Sequence, residues 1–589
     1  MLEELPKWNL NEIYSSEKDP EIKNDLEKCK TQTKSFIKKY SNKLNSLDAK
    51  ELGSAISEFE KINQVLGKLY SHASLSFAIN MATPKHGQHY QKIKEFASEI
   101  FSKLIFFELE LMNLDNDLTD SFMSNSVIKK WTPWIRRIIQ RKPFQLSNEL
   151  EIFIAEKGPT GRSAWVRLFD ESSTDLRYNY REKMLTETEV LNLLTDKDPD
   201  IRKDAGLSFS KTLKENLRTR SLIINTISRD KHTEDKKRGF ENPISSRNLD
   251  NDVEDEVVEA LTVSVTERFK DLSHRYYKLK ASWFNVKHLN WWDRNAPLPK
   301  TPNQKWKWKD ARNLVLESFS ELSPEISDIA EKFFKNNWID AEVRTGKDSG
   351  AFAHPTVPDI HPYILLNYTG KSRDVMTLAH ELGHGVHQVL SGKNGYLLSD
   401  TPLTLAETAS VFGEMLVFQK LLSQTSSPSE KKFMLASKVE DMLNTVVRQV
   451  AFHNFETDFH NSRKKNELTP DQISDIWMET QSNALGESIK LDESYRPLWA
   501  YIPHFIHTPF YVYAYAFGDC LVNSLWQVWQ KGEEGFTEKY LNLLKSGGTL
   551  HHKEALKPFG LDAANPKFWD QGLNTISNLI DQLEDLRND

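Results

Sequence analysis

Cysteine is nearly missing from this chain of 589 residues, which carries only Cys29 and Cys520. That excludes a disulfide framework and a thiolate metal cluster, so any zinc has to be held by histidine and carboxylate. Long apolar runs are missing too. The run Leu104 to Met112 (LIFFELELM) is interrupted by two glutamates and falls far short of the ~20 residues that span a bilayer, so no membrane partner is expected. A strong excess of one charge is also lacking. The net charge of -7 is mild and argues against a general nucleic-acid binder. The opening MLEELPKWNLNEIY has no basic segment followed by an apolar one, which leads us to expect no secretory signal and a cytoplasmic location.

What is present is an ordinary globular composition, 39% hydrophobic and 27% charged. The length exceeds one simple core and predicts two or three subdomains, which can still share one compact body.

The chemistry is concentrated in His380-Glu381-Leu382-Gly383-His384, inside RDVMTLAHELGHGVHQVL (Arg373 to Leu390). On a helix, His380 and His384 lie four residues apart on one face and can reach one metal ion. Val375, Leu378, Leu382 and Val389 recur at helical spacing on roughly the opposite side, Ser372 can cap the start, and Gly392 stands where the helix would end. With 17 histidines in the chain, a chance H-E-x-x-H arises in roughly a few per cent of chains of this size. Chance matches seldom fall on a capped amphipathic helix with an acidic helix downstream.

Taken in order, Trp8 to about Asn116 has few Pro or Gly and reads as helical scaffold, with His72, His86 and His89 as ordinary histidines. Trp131 to about Glu182 continues with helices joined at Gly158-Pro159-Thr160-Gly161. Its Arg136, Arg137, Arg141 and Lys142 suit either a phosphate or a solvated helix face, and the latter is expected. The polar stretch Arg229 to Asp255 has no periodic apolar face and predicts a long loop. Trp283, Trp291, Trp292, Trp306 and Trp308 are read as core packing rather than a ligand platform. From Asp340 the pattern changes: a glycine-rich turn from Arg344 leads into a short strand up to His354, and Tyr363 to Tyr368 reads as a second strand. An open sheet edge beside a metal helix can pair with an extended peptide, or the strands can simply pack the helix. His354 and His361 suit substrate contact or structure equally.

Downstream, Thr401-Pro402 reads as the start of a helix on which Leu405, Ala409, Phe412 and Leu416 form an apolar stripe. Glu407 and Glu414, two turns apart, share another face. Glu407 follows His384 by 23 residues, enough for a helix to end, turn and bring a carboxylate back to the metal. Glu414 suits either a hydrogen bond to a ligand histidine or the solvated surface. Thr469-Pro470-Asp471-Gln472 is a capping box, with Trp477 continuing that helix inward. In Ile502 to Gly518 (IPHFIHTPFYVYAYAFG), Pro509 would start a helix with Tyr511 and Tyr515 on one face. His504 and these tyrosines can supply donors to a developing oxyanion, although a tyrosine-rich core helix would look much the same.

Two imidazoles and one carboxylate leave a fourth tetrahedral position open, the mark of a catalytic zinc site. Zinc lowers the pKa of bound water to about 7, and Glu381 beside it can take the proton and pass it to a leaving amine. Metal-assisted amide hydrolysis is the expected reaction.

The same residues resemble the thimet-like zinc peptidases, and within them the oligoendopeptidase F branch, over nearly the whole chain. Trp8 to Tyr14 (WNLNEIY) is similar to that branch's opening, and Trp134 to Glu171 to its N-terminal accessory domain. GKDSGAF, HELGHGVHQ, AETASVFGE and PHFIHTPFYVYAYAFG are similar to its catalytic segments. The resemblance implies His380, His384 and Glu407 as ligands of one Zn2+, Glu381 as the base, and His504 with Tyr511 or Tyr515 on the substrate and oxyanion side. The thimet branch spaces its histidine and tyrosines differently from this chain. The resemblance further implies a mainly α, zincin-like helical body divided by a deep channel, with a small β-sheet next to the metal-binding helix. The implied domains are 1–115 (N-terminal helical region), 116–185 (accessory domain) and 186–589 (catalytic domain). Internal cleavage of unstructured oligopeptides in peptide turnover is the implied function. A helical H-E-x-x-H zinc carboxypeptidase and a zinc-stabilised, non-catalytic peptide-binding protein are the competing readings.

Overall fold

The computed structural model describes residues 4–299 and 305–586. It divides into two compact units that alternate along the sequence. The first takes in Met1–Lys142, Gln304–Gln424 and Gly532–Gly560, the second Pro143–Asn303, Thr425–Lys531 and Leu561–Asp589. The elements that matter below, in chain order, are α1 (Pro20–Tyr40), α2 (Ala49–Ala78), α3 (Pro84–Met112), α4 (Pro199–Arg238), β1 (Ile339–Asp340), β2 (Phe352–His354), β3 (Tyr363–Leu365), α5 (Ser372–Ser391), α6 (Thr408–Gln424), α7 (Val447–Arg463) and α8 (Tyr513–Gln530). The fold is mainly helical, as expected, with only small sheets. Among the described residues no helix is long and apolar enough to cross a membrane.

In the first unit, α1, α2 and α3 form the scaffold predicted for the N-terminal region. Asp48 and Glu51 close a capping box at the start of α2, satisfying its first free N–H groups. Phe36, Phe59 and Phe107 meet ring to ring at 5.1–6.1 Å between centroids and bury the shared face. Arg137 donates to the Gly548 carbonyl at 2.7 Å and Lys142 to the Leu114 carbonyl at 2.8 Å, so two of the four clustered cations bind backbone.

The sheet of this unit has three strands rather than two. β3 is central, parallel to β1 and antiparallel to β2. Lys347, whose side chain is buried, ties the sheet together. Its Nζ donates to the carbonyls of Asp340, Glu342 and Leu366 and lies 2.7 Å from the Asp340 carboxylate. A buried ammonium with all its donors engaged and a carboxylate beside it is a fastening for the strands rather than a reactive group.

α5 lies against this sheet. It begins at Ser372, which is inside the helix rather than capping it. The Asp374 carboxylate instead accepts the N–H groups of Thr369 and Lys371. Val375, Leu378 and Leu382 are buried as their spacing predicts. The neighbouring helix crosses unusually close. A Cβ at Gly383 would lie 2.5 Å from the Ala409 carbonyl oxygen and 2.6 Å from the Ser410 Cα. Only glycine allows that approach.

The second unit corrects one expectation. Arg229 to Asp255 is not a long loop: α4 runs unbroken to Arg238, and Ser245–Asp250 is a further short helix. Paired charges at helical spacing replace an apolar face there. Lys231 meets Asp235 at 2.8 Å, Arg238 meets Glu234 at 2.8 Å, and Arg238 also reaches Glu151 at 2.7 Å. Gly239, at φ +89°, closes the helix in the left-handed conformation. Of the five clustered tryptophans Trp291 and Trp292 are buried, Trp291 packing on Tyr495, while Trp283, Trp306 and Trp308 are half-buried, Trp283 packing on Tyr276 and Trp308 on Phe334 and Tyr368.

Candidate active site

α5 presents His380 and His384 on one face, their ring centroids 4.8 Å apart and their planes nearly perpendicular. The expected helix from Pro402 is broken. A single turn, Leu403–Ala406, ends before Glu407, whose ψ of 1° departs from helical geometry, and α6 begins one residue later. The break turns the Glu407 carboxylate toward both histidines, with Oε2 lying 3.5 Å from His380 Nε2 and 3.4 Å from His384 Nε2. Ligands held about 2.0–2.1 Å from a tetrahedral zinc lie about 3.4 Å from one another. The three donor atoms, one from each residue, all fall within 4.8 Å of one another, so this donor set fits such an ion.

The surroundings orient these groups. His380 Nδ1 lies 3.1 Å from Glu414 Oε1, the carboxylate contact that fixes the ring and leaves Nε2 facing Glu407. The Ala406 backbone lies beside the His384 ring. The Ser410 hydroxyl donates to Glu407 Oε2 at 2.6 Å and so restrains the carboxylate of this set. Buried His387 lies 3.3 Å from the Thr401 hydroxyl and tethers the same segment. Ser410 and His387 were missed in the sequence. Their only signal was position, Ser410 one turn past Glu407 and His387 one turn past His384.

Burial opposes a charge on His380, but the carboxylates of Glu414, Glu407 and Glu381 outweigh it and lift its pKa to about 9. His384, buried with less compensation, falls to about 4. Glu381 rises to about 7. Burial is the main cause, opposed by the charge of His380 and reinforced by Glu407 and Glu414. A carboxyl near neutrality can both take and return a proton. The Ala353 backbone in β2 lies beside the Glu381 carboxylate, and Gln388 donates to the Ala353 carbonyl at 3.2 Å. At that residue the strand edge is therefore engaged by α5 rather than open. His354 lies 2.9 Å from the Ser71 hydroxyl, and His361 stacks on Trp338 at 3.7 Å, so both have structural partners.

His504, Tyr511 and Tyr515 belong to the second unit and cluster there. His504 Nε2 lies 3.3 Å from the Tyr515 hydroxyl, and the rings of Tyr511 and Tyr515 are 5.4 Å apart. The helix expected from Pro509 starts instead at Tyr513, because Phe510 adopts φ +62° and breaks the path. Buried Glu456 accepts the Phe510 N–H at 2.8 Å and holds that turn. Tyr513 is committed to the core, its hydroxyl accepting from Asn251 at 2.8 Å, whereas Tyr515 is exposed.

The profile of Peptidase family M3 matches residues 192–575, well over half of the chain. The chain belongs to peptidase family M3. M3 peptidases are zinc-dependent in general, and this M3 chain is a metallo-oligopeptidase. A second profile, Oligopeptidase F, matches residues 110–178. The oligoendopeptidase F homolog of Borreliella burgdorferi is 26% identical, covering 99% of this chain and 98% of its own length. Oligopeptidase PepF of Bacillus subtilis is 24% identical, covering 98% and 87%. Among solved structures, oligoendopeptidase-F from Enterococcus faecium shares the fold with a TM-score of 0.74 at 19% identity, covering 96% of this chain and 99% of that one. A protein from Chlamydophila abortus shares it with a TM-score of 0.86 at 24% identity, covering 98% of each.

Proposed function

We propose that this M3 peptidase is a zinc-dependent endopeptidase that hydrolyses internal bonds of short, unstructured oligopeptides. His380, His384 and Glu407 are the ligands of one Zn2+ per chain, and Glu381 is the base. The observation that carries this reading is the convergence of the two imidazoles and the Glu407 carboxylate, with Glu381 next to His380 on the same helix. Bound zinc supplies Lewis acidity, polarising the scissile carbonyl and acidifying water. Glu381 takes a proton from the attacking water onto its carboxylate and returns it to the nitrogen of the leaving amine, so the carboxylate is regenerated in each cycle. Burial supports this role, since a raised pKa brings proton uptake and release into balance near neutral pH. Glu414 orients His380, and Ser410 holds Glu407.

On the substrate side, His504, Tyr511 and Tyr515 donate hydrogen bonds as negative charge develops on the carbonyl oxygen. The contact between His504 and the Tyr515 hydroxyl supports assigning them one task. The chain is organised as a helical region (1–115), an accessory domain (116–185) and a catalytic domain (186–589). It works in the cytoplasm on peptides, not on nucleic acid or membranes.

The test is Glu381→Gln. Zinc content should be unchanged while hydrolysis of a mixed peptide library falls by about 10²–10⁴-fold or more. Retained hydrolysis in a zinc-loaded Glu381→Gln enzyme rules out this mechanism. Cleavage confined to the C-terminal residue of each peptide would favour the carboxypeptidase reading.

A further inference from the structure

In the second unit Arg202 and Arg294 neighbour Lys280, Arg294 and Arg448 both flank Tyr277 and Tyr495, and two of these four cations have carboxylate partners. Arg202 pairs with Asp293 at 2.8 Å. Buried Lys280 pairs with Glu440, whose Oε1 also accepts the Tyr276 hydroxyl at 2.7 Å. Arg294 and Arg448 enter no ion pair among the described residues. Arg294 lies beside the Tyr495 hydroxyl. Arg448, in the first turn of α7, donates Nη2–H to the Tyr501 hydroxyl at 3.0 Å and lays its guanidinium over the Phe452 ring at 4.8 Å. Its Nε is buried with no hydrogen-bond partner.

No phenolate balances the two guanidiniums. Burial pushes the Tyr277 hydroxyl up to about 12 and raises that of Tyr495 as well, so both stay protonated. Glu440 acts on Arg294 as well but is shared with Lys280, so four cations face only the carboxylates of Asp293 and Glu440, and the unsatisfied Arg448 N–H adds a desolvation penalty. Guanidinium forks match carboxylates in shape and charge, so an arriving carboxylate removes that penalty. The place also bears on substrate. Tyr501 ends a short 3-10 turn, Arg496–Tyr501, and His504 follows it by three residues. Burial together with the charge of Arg448 and the neighbouring His507 keeps the His504 imidazole below its usual pKa.

We propose that Arg294 and Arg448, with the Tyr501 hydroxyl between them and His504, form a subsite for a carboxylate of the oligopeptide substrate. The subsite rests on the reading of His504 as part of the substrate side. A carboxylate can come from the peptide's C-terminus or from an acidic side chain, and either would anchor a peptide that is cut elsewhere along its length. Arg448 is then a specificity-determining residue that acts on binding rather than on the chemical step.

The experiment compares three versions of one cleavable peptide: free C-terminus with an internal Glu, C-terminal amide with the same Glu, and free C-terminus with Gln in its place. Kd is measured on the zinc-loaded Glu381→Gln protein and KM and kcat on the wild-type enzyme. Removing the relevant carboxylate should raise Kd and KM roughly tenfold or more, the scale of a charged hydrogen bond, with kcat little changed. The amide arm identifies a C-terminal anchor and the Gln arm a side-chain one. Arg448→Ala should erase the discrimination and Arg448→Lys should keep part of it. Equal affinities for all three peptides, absence of binding, or a preference that survives Arg448→Ala overturns the subsite. Because the peptide series is read first on unsubstituted Arg448, a misfolded variant does not decide the outcome. Chelator-insensitive cleavage by the wild-type enzyme would instead overturn the metallopeptidase reading, and the carboxylate preference would still be legible in Kd.

Discussion

Gly383→Ala adds one methyl group to the helix that carries both histidines, and the structure sets its consequence. The new Cβ would stand 2.5 Å from the Ala409 carbonyl oxygen and 2.6 Å from the Ser410 Cα, both backbone atoms of the helix beginning just after Glu407. Nonbonded heavy atoms settle about 3.5 Å apart, so that backbone would have to retreat by about 1 Å. Metal–ligand distances tolerate only about 0.2 Å. Glu407, fixed to this segment by its own chain and by Ser410, cannot follow the histidines. The overpacking should destabilise the fold by about 1–3 kcal/mol, partly offset by the better helix propensity of alanine, about 1 kcal/mol. The larger effect should be on the metal, with zinc affinity falling at least 10–100-fold, as when an orienting partner is lost. Gly87→Ala is the control, because its Cβ meets nothing nearer than Phe77 at 3.5 Å, and it should leave zinc binding untouched. The assay is zinc competition with a chromophoric chelator, alongside thermal unfolding of the same samples. A Gly383→Ala protein that folds and holds zinc with wild-type affinity would refute the argument that the close helix crossing positions Glu407.

Glu414→Gln should leave His380 with a weaker partner and lower zinc affinity about 10–100-fold, read in the same competition assay; unchanged affinity would remove Glu414 from the site's support. Chelation should abolish peptide cleavage and added Zn2+ should restore it, read by mass spectrometry of a peptide digest. Glu456 is buried and its pKa rises to about 8, with burial as the main cause. The unfolded chain loses this proton near pH 4.3 while the folded one keeps it to about 8, so the unfolded state binds fewer protons in that window and stability falls as pH rises through it. Glu456→Gln removes this dependence and should raise stability at pH 7 by about 1 kcal/mol or more in urea unfolding. A variant that is less stable at pH 7, with the same pH slope as wild type, would contradict a neutral Glu456.

Periodicity and spacing determined much of this protein. Val375, Leu378 and Leu382 announced the core side of the histidine helix because a 3.6-residue repeat is a local property of the chain. Gln472 behind Thr469 marked a helix start for the same reason, since a cap is made within four residues. His380, Glu381 and His384 were legible together because one helix carries all three. The helix from Pro199 to Arg238 was misread at its end because Lys231–Asp235 and Arg238–Glu234 pairs stabilise it where no apolar stripe exists to be seen. Tertiary structure alone decided what depends on a second segment. Ser410 on Glu407, Lys347 under the strands, Glu456 under Phe510 and the unbalanced pair Arg294 and Arg448 each join residues far apart in sequence or set by a helix break. A hydrogen bond or a buried charge acts over a few ångströms of space, and the sequence orders residues only along the chain. The sequence therefore named the donors of the proposed metal site, while the close approach of two helices at Gly383, just after Glu407, belongs to the tertiary structure.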